Sequence, residues 1–226
     1  MPTATRRADT RPAKGAARRP GVRELAAQAT RDSILRAATK VFAKHGFAGG
    51  RVEQISKAAK SYDRMIYYYY GSKEALFIAV LEECYRRFND AEAGLELSAE
   101  QPVESLKAVI RFMWGYYLSN PEFITLLNTE NLHRGRHIAK SLRAQEYSSP
   151  AIEVLARVLA SGAKQGLFRK KLAARDVYLM IAGMAYFYLS NRYTLSAFLG
   201  EELGTAEAMA QWESFLIDSV LRTVAA

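Results

Sequence analysis

An all-α protein is predicted by three observations on this 226-residue chain. Apolar side chains recur three and four residues apart from residue 34 almost to the C-terminus, while no stretch alternates with the period of two that a half-buried strand requires. Gly and Pro fall between these periodic runs, where helices stop and start. With 50% hydrophobic and 11% aromatic residues, the chain can bury a sizeable core. About nine helices are expected, with no internal repeat.

Residues 1–29 are rich in Ala, Arg, Pro and Thr and almost lack large apolar side chains, so a disordered basic arm is expected. Its Arg6, Arg7, Arg11, Lys14, Arg18, Arg19 and Arg23 fit either contacts along a minor groove or a featureless solubilising leader. The first helix is expected from an N-cap at Thr30 to Gly46, with Ile34, Leu35, Ala38, Val41 and Phe42 inward. His45 then reads as a surface helix end. Gly49-Gly50 frees the loop that follows.

Residues 51–73 organise the rest. Val52, Ile55 and Ala59 share one helical face, as do Ile66 and Tyr70, and Lys60-Ser61-Tyr62 is a turn of the right length to cross the second helix over the first. This is a helix-turn-helix pattern. Its outer face carries Asp63, Arg64, Met65, Tyr67, Tyr68 and Tyr69, with Arg51 and Tyr62 beside them. Gly71 supplies a stop, Ser72 an N-cap, and Lys73 a cation where a backbone phosphate would lie. Charge supports the same reading: residues 1–73 hold 16 Lys/Arg against 5 Asp/Glu, whereas residues 74–226 hold 16 against 18. Basic character that coincides with the motif favours a nucleic-acid partner through counterion release.

A helix from Ser72 to about Gly94 follows, with Leu76, Phe77, Val80, Leu81, Cys84 and Phe88 inward. Pro102 to Ser119, then helices opened by Asn120-Pro121 and Ser149-Pro150, lead to Gly166. Two long helices, about 174–197 and 205–224, complete the chain. Both are apolar on more than one face, through Ile181, Met184 and Tyr188 in one and Trp212 and Leu216 in the other. By pattern alone they close either an intrachain core or a four-helix interface between two copies.

Residues 102–170 mix Met113, Trp114, Tyr117 and Phe123 with Asn128 and Asn131, a composition that suits either plain core or an aromatic small-molecule pocket with a few polar groups. Glu130, His133 and His137 have spacing that could share a metal face, but Gly135 interrupts it, and a polar helix end is the simpler account. One cysteine excludes an internal disulfide framework and a cysteine-rich zinc site. With no signal peptide or long apolar run, the cytoplasm is the expected compartment and no membrane association is expected. No phosphate-cradling GxxxxGK[ST], GxSxG elbow or HExxH is present, so neither enzyme nor cofactor chemistry is indicated.

Three segments carry a resemblance to a known family. Thr30-Arg31-Asp32-Ser33-Ile34-Leu35, then Phe42-Ala43-Lys44-His45-Gly46-Phe47, then Ile66-Tyr67-Tyr68-Tyr69-Tyr70-Gly71-Ser72-Lys73-Glu74-Ala75-Leu76 resemble the signature of the TetR/AcrR repressors over residues 30 to about 80. Where such proteins commonly have Gly-Val-Ser in the turn, this chain has Lys60-Ser61-Tyr62. The resemblance implies a DNA-binding domain over 30–73 and an effector-binding and dimerisation domain over 74–226. It further implies a homodimer on a palindromic operator, with half-sites roughly 34–36 Å apart, released by a small-molecule effector. It assigns phosphate contact to Tyr67 and Lys73, DNA contact to Tyr69 and base edges to Arg64 and Met65, and it favours the dimer for the last two helices. The alternative class is a helical small-molecule-binding protein or enzyme with a vestigial helix-turn-helix.

Overall fold

The computed structural model describes residues 21–143 and 149–226. Among these are nine α-helices: α1 Val22–Gly49, α2 Val52–Ala58, α3 Asp63–Tyr70, α4 Lys73–Ala93, α5 Pro102–Ser119, α6 Pro121–Leu132, α7 Ser149–Lys164, α8 Ala174–Leu199 and α9 Ala206–Val224. A short 3-10 turn, η1, spans Ile138–Lys140. The one β-type pairing among the described residues is an isolated bridge between Phe168 and Ala225.

Helix α1 starts eight residues before the expected cap. Residues 22–29 are almost all Ala, Leu, Gln, Glu and Arg, which favour helix, and Glu24 closes the end by accepting the Gly21 N–H at 2.8 Å. Thr30 is therefore interior, its hydroxyl donating back to the Ala26 carbonyl at 2.9 Å. The expected disordered arm fails for residues 22–29, and its first 20 residues lie outside the described ones. At Gly46 the backbone turns left-handed (φ 67°) within α1, so the regular helix does break at the expected glycine. Gly50 needs its missing side chain for a second reason, since a Cβ would stand 2.6 Å from the Phe42 ring.

The N-terminal core is Ile34, Ala38 and Phe42 of α1 closed by Ile55, Ile66, Leu76 and Phe77, all buried. Phe42 meets Phe77 edge-on at 5.1 Å. Ser72 caps α4, accepting the Ala75 N–H at 3.0 Å. Helix α4 then runs unbroken from the small domain into the large one, burying Leu81, Cys84 and Phe88 on the way. In the larger body α5 is central: Leu106, Ile110, Met113 and Trp114 pack between α7, α8 and α9. The most extensive contact between helices is α1 with α6, which seats the small domain on the large one.

Candidate nucleic-acid interface and effector chamber

The motif turn is built without glycine. Lys60 takes the left-handed conformation (φ 52°), a strain of order 1 kcal/mol for a residue with a side chain. Two bonds hold it: the Ser61 N–H reaches the Ser56 carbonyl at 2.9 Å, and Ser33 donates from α1 to the Ala59 carbonyl at 3.1 Å. Tyr62 occupies the N-cap position of α3 without a capping side-chain bond. In place of such a cap, Asp63 at the first helical position accepts from the Ser56 hydroxyl and sits on the positive end of α3.

This arrangement sorts the candidate DNA residues. Tyr62, Tyr67 and Tyr68 are exposed at 71%, 52% and 78%, a large aromatic area to leave in water on one short helix and its N-cap. Arg64 is exposed too, its guanidinium 5.3 Å from the centre of the Tyr62 ring, so ring and cation are presented together. Arg51 is exposed at the start of α2. Asp63 is engaged with Ser56, and Met65 and Tyr69 are half-buried against the core, so these three present less to a groove than the sequence suggested. Tyr70 turns inward, donating to the Arg31 carbonyl at 3.0 Å. Lys73 also leans inward: its ammonium lies 4.9 Å from the centre of the Phe47 ring and 3.4 Å from the Ala48 carbonyl. Partial burial there holds its pKa below the usual lysine value.

Within the large body, a cavity of about 410 Å3 is lined by Tyr85, Phe88 and Asn89 of α4, Tyr117 of α5, and Phe123, Leu127 and Asn131 of α6. Ile138 of η1 and Tyr178, Leu179, Ala182, Gly183 and Tyr186 of α8 complete the lining. Phe123 stacks near Phe88 at 5.9 Å and Tyr117 at 5.7 Å, giving one wall. Burial raises the Tyr117 and Tyr178 hydroxyls above the ordinary tyrosine value, so both stay protonated donors.

Of the expected pocket residues, Tyr117, Phe123 and Asn131 line this chamber. Met113 and Trp114 do not. They are buried at 0% and 1%, with Trp114 edge-on to Tyr188 at 5.7 Å, so the core account wins there. Asn128 is also absent from the wall; it ties α6 to α8 by accepting from the Tyr186 hydroxyl and from Ser190 at 3.0 Å. The sequence missed Tyr85, Phe88, Asn89, Tyr178 and Tyr186, although Tyr85, Phe88 and Asn89 stand three and four apart on α4, the available signal.

The pair Glu130 and His137 is a correction as well. Neither belongs to a polar helix end: His137 is fully buried, and Glu130 is 6% exposed. His137 Nδ1 donates to Glu130 Oε2 at 2.6 Å, while Glu130 Oε1 accepts the N–H groups of His137 and Ile138 at 2.8 and 2.9 Å. Gly135, left-handed at φ 70°, makes the fold-back possible. Phe47 and Phe77 of the small domain lie 4.5 and 5.0 Å from the His137 ring. Farther along, Lys140 pairs with Glu74 at 2.7 Å and Ser141 donates to Glu82 at 2.5 Å. Helix α6 and η1 thus line the chamber on one side and grip the small domain on the other.

On α8 and α9 the expected interface residues divide. Ile181, Tyr188 and Leu216 are buried inside the protomer, at 0%, 5% and 0%, and cannot meet a second copy. Met184 and Trp212 are half-buried. What lies open is a row of Leu179, Gly183 and Phe187, four residues apart on α8, with Phe215 on α9; Leu179 and Gly183 also line the chamber.

A helix-turn-helix with an exposed aromatic and cationic face, seated on a helical body that holds an aromatic-walled chamber, defines a DNA-binding regulator. Residues 34–80 match the family described as bacterial regulatory proteins, tetR family, and residues 102–220 match tetracyclin repressor-like, C-terminal domain. The chain belongs to the TetR family. It is 52% identical over 205 residues to the HTH-type transcriptional repressor NicS of Pseudomonas putida, covering 91% of this chain and 97% of that one. It is 28% identical over 161 residues to the repressor SCO4008 of Streptomyces coelicolor, covering 70% and 77%. Among solved structures, the putative regulator SCO4942 of Streptomyces coelicolor superposes with a TM-score of 0.64 at 22% identity, over 86% of this chain and 98% of that one, a likeness of fold. No helix among the described residues is long and apolar enough to cross a membrane.

Proposed function

We propose that this protein is a ligand-responsive transcriptional repressor that binds a palindromic DNA operator as a homodimer and is released when a small molecule enters the chamber. The observation that carries the reading is the shared use of α6 and η1, which line the chamber and grip the reader. A ligand that binds one arrangement of α6 better than another shifts the reader with it, and only such differential affinity can release DNA. The repressor names of the relatives support the sign of the action. Arg51, Tyr62, Arg64, Tyr67 and Tyr68 are the proposed DNA contacts, Arg64 being the base reader. Leu179, Phe187 and Phe215 replace the buried residues as the proposed dimer contacts, with Met184 and Trp212 at their edge.

A gel shift on DNA flanking the protein's own gene, with nonspecific competitor present, tests this. A retarded complex at a competitor excess that abolishes nonspecific binding is the expected result. Binding that follows competitor concentration alone would leave the helix-turn-helix without a specific role.

A further inference from the structure

A second cavity, of about 400 Å3, lies at the end of α4 remote from the helix-turn-helix, among the last turn of α4, the connection to α5, and α7. That connection is tied to α7 through the Ala99 carbonyl, which accepts from the Ser161 hydroxyl and from Gln165 Nε2, the latter at 2.9 Å. Glu92, in the last turn of α4, lines the cavity and is 2% exposed, and its Oε2 has no hydrogen-bond partner among the described residues. A buried carboxylate left in this way is unfavourable, and such a group in a folded protein needs a reason. The cavity supplies one, since a ligand held there would meet an acceptor that no described residue uses.

The wall selects the ligand. Besides Glu92 it holds one cation, Arg157, which is exposed, one hydroxyl, Ser98, and otherwise only Ala, Leu and Val, with no aromatic ring. Burial is the sole influence that moves the Glu92 carboxyl, so no cation among the described residues offsets its charge, Arg157 included. A ligand that brings a cation supplies what is missing, whereas an anion would set a second negative charge beside the first. One carboxylate and one hydroxyl are a poor cage for a hard metal ion, which requires six or more oxygens. We propose that this cavity is a ligand site separate from the chamber, and that it takes a small aliphatic primary amine, its ammonium on Glu92 Oε2 and its alkyl chain against Leu95, Leu97, Val154 and Val158. None of these residues belongs to the chamber wall, so the assignment does not depend on the effector entering the chamber.

Three probes of one chain length test it by calorimetry on the full chain at pH 8: hexylamine, 1-hexanol and hexanoate. At that pH the Glu92 carboxyl, raised to about 7, is charged, and a primary amine, titrating near ~10, keeps its proton. Tyr117 and Tyr178, which feel the Glu92 charge from α5 and α8, stay neutral there. The amine should bind about ten- to a hundredfold tighter than the alcohol, the range expected of a bond to a buried charged group, and hexanoate most weakly. In Glu92→Gln the alcohol should keep its affinity and the preference for the amine should fall to near one. Val154→Trp, which fills the cavity from a half-buried position, should weaken amine and alcohol alike. Equal binding of amine and alcohol to the unaltered protein, a preference that survives Glu92→Gln, or amine binding unchanged by Val154→Trp overturns the assignment. Hexanoate bound tightest would give the site to Arg157 and overturns it as well, and failure of all three probes to bind leaves water as the occupant and overturns it too. Neither substitution touches the chamber wall, so each of these outcomes leaves the chamber reading intact.

Discussion

Single residues decide what each half of the protein can touch. Arg64, held over Tyr62, is the exposed cation of α3. Arg64→Ala should lose about 1–3 kcal/mol of operator affinity and relax sequence preference if it pairs with a guanine edge. Titrations on operator and scrambled DNA check this, and an equal loss on both would make Arg64 a phosphate contact. Glu92 carries a pH signature of its own, because burial pushes its carboxyl up to about 7 from 4.5. A raised carboxyl keeps its proton in the folded state between those values while the unfolded chain has lost it, so stability falls as pH rises through the window. Glu92→Gln should therefore be more stable than the parent by up to about 3 kcal/mol at pH 8 and by almost nothing at pH 4. Urea unfolding at the two pH values measures it, and a pH-independent difference would contradict the burial account. Trp114→Ala, at 1% exposure, should lose about 3–5 kcal/mol as a core truncation, readable as a lowered melting temperature. That Trp114 is core and Tyr178 is chamber was not legible in the sequence, because a helical stripe states which residues share a face but not whether that face meets a neighbour or a void.

At the scale of elements, most boundaries were readable. Pro102, Pro121, Gly71 and Gly200 end or open helices for local steric reasons, and local reasons are what a sequence displays. The failures are long-range. Thr30 looks like a cap until the eight helix-forming residues before it are given their due, and Glu130 looks solvated until Gly135 folds His137 back onto it over seven positions of chain. Glu130→Ala would leave two backbone N–H groups and the buried Nδ1–H of His137 unpaired at once. Destabilisation of about 3–5 kcal/mol is expected, with faster hydrogen exchange at His137 and Ile138 than elsewhere in the body. If the variant loses stability uniformly without that local signature, η1 is held by its ion pair to α4 instead.

For the whole molecule, the pattern of α8 and α9 fitted either an intrachain core or a pairing of two copies, the family resemblance favoured the pairing, and the residues named for it divide between core and surface. Both helices have two apolar sides, and a single sequence offers no sign of which side the rest of its own chain will cover. Ile181, Tyr188 and Leu216 went inward, leaving Leu179, Phe187 and Phe215 open. Phe215→Glu, at 54% exposure in the protomer, should therefore yield folded monomer with unchanged helicity, whereas Leu216→Glu one position away should unfold, since an unpaired buried carboxylate costs several kcal/mol. Light scattering with circular dichroism separates the two. A Phe215→Glu protein that remains dimeric would move the interface off α9.

Trp114, Tyr188 and Trp212 form a short column, the first pair edge-on at 5.7 Å and the second stacked at 4.8 Å, and Phe215 continues it toward the surface at 5.3 Å from Trp212. The protein thereby carries its own optical gauge. Trp114, sealed from water, should emit at short wavelength whatever the state of assembly, while Trp212, half-open beside Phe215, should shift to the blue when a second copy covers it. Dilution of the unlabelled protein through its dimer dissociation constant should redden the emission, and Trp212→Phe should abolish that change while leaving the steady blue band of Trp114.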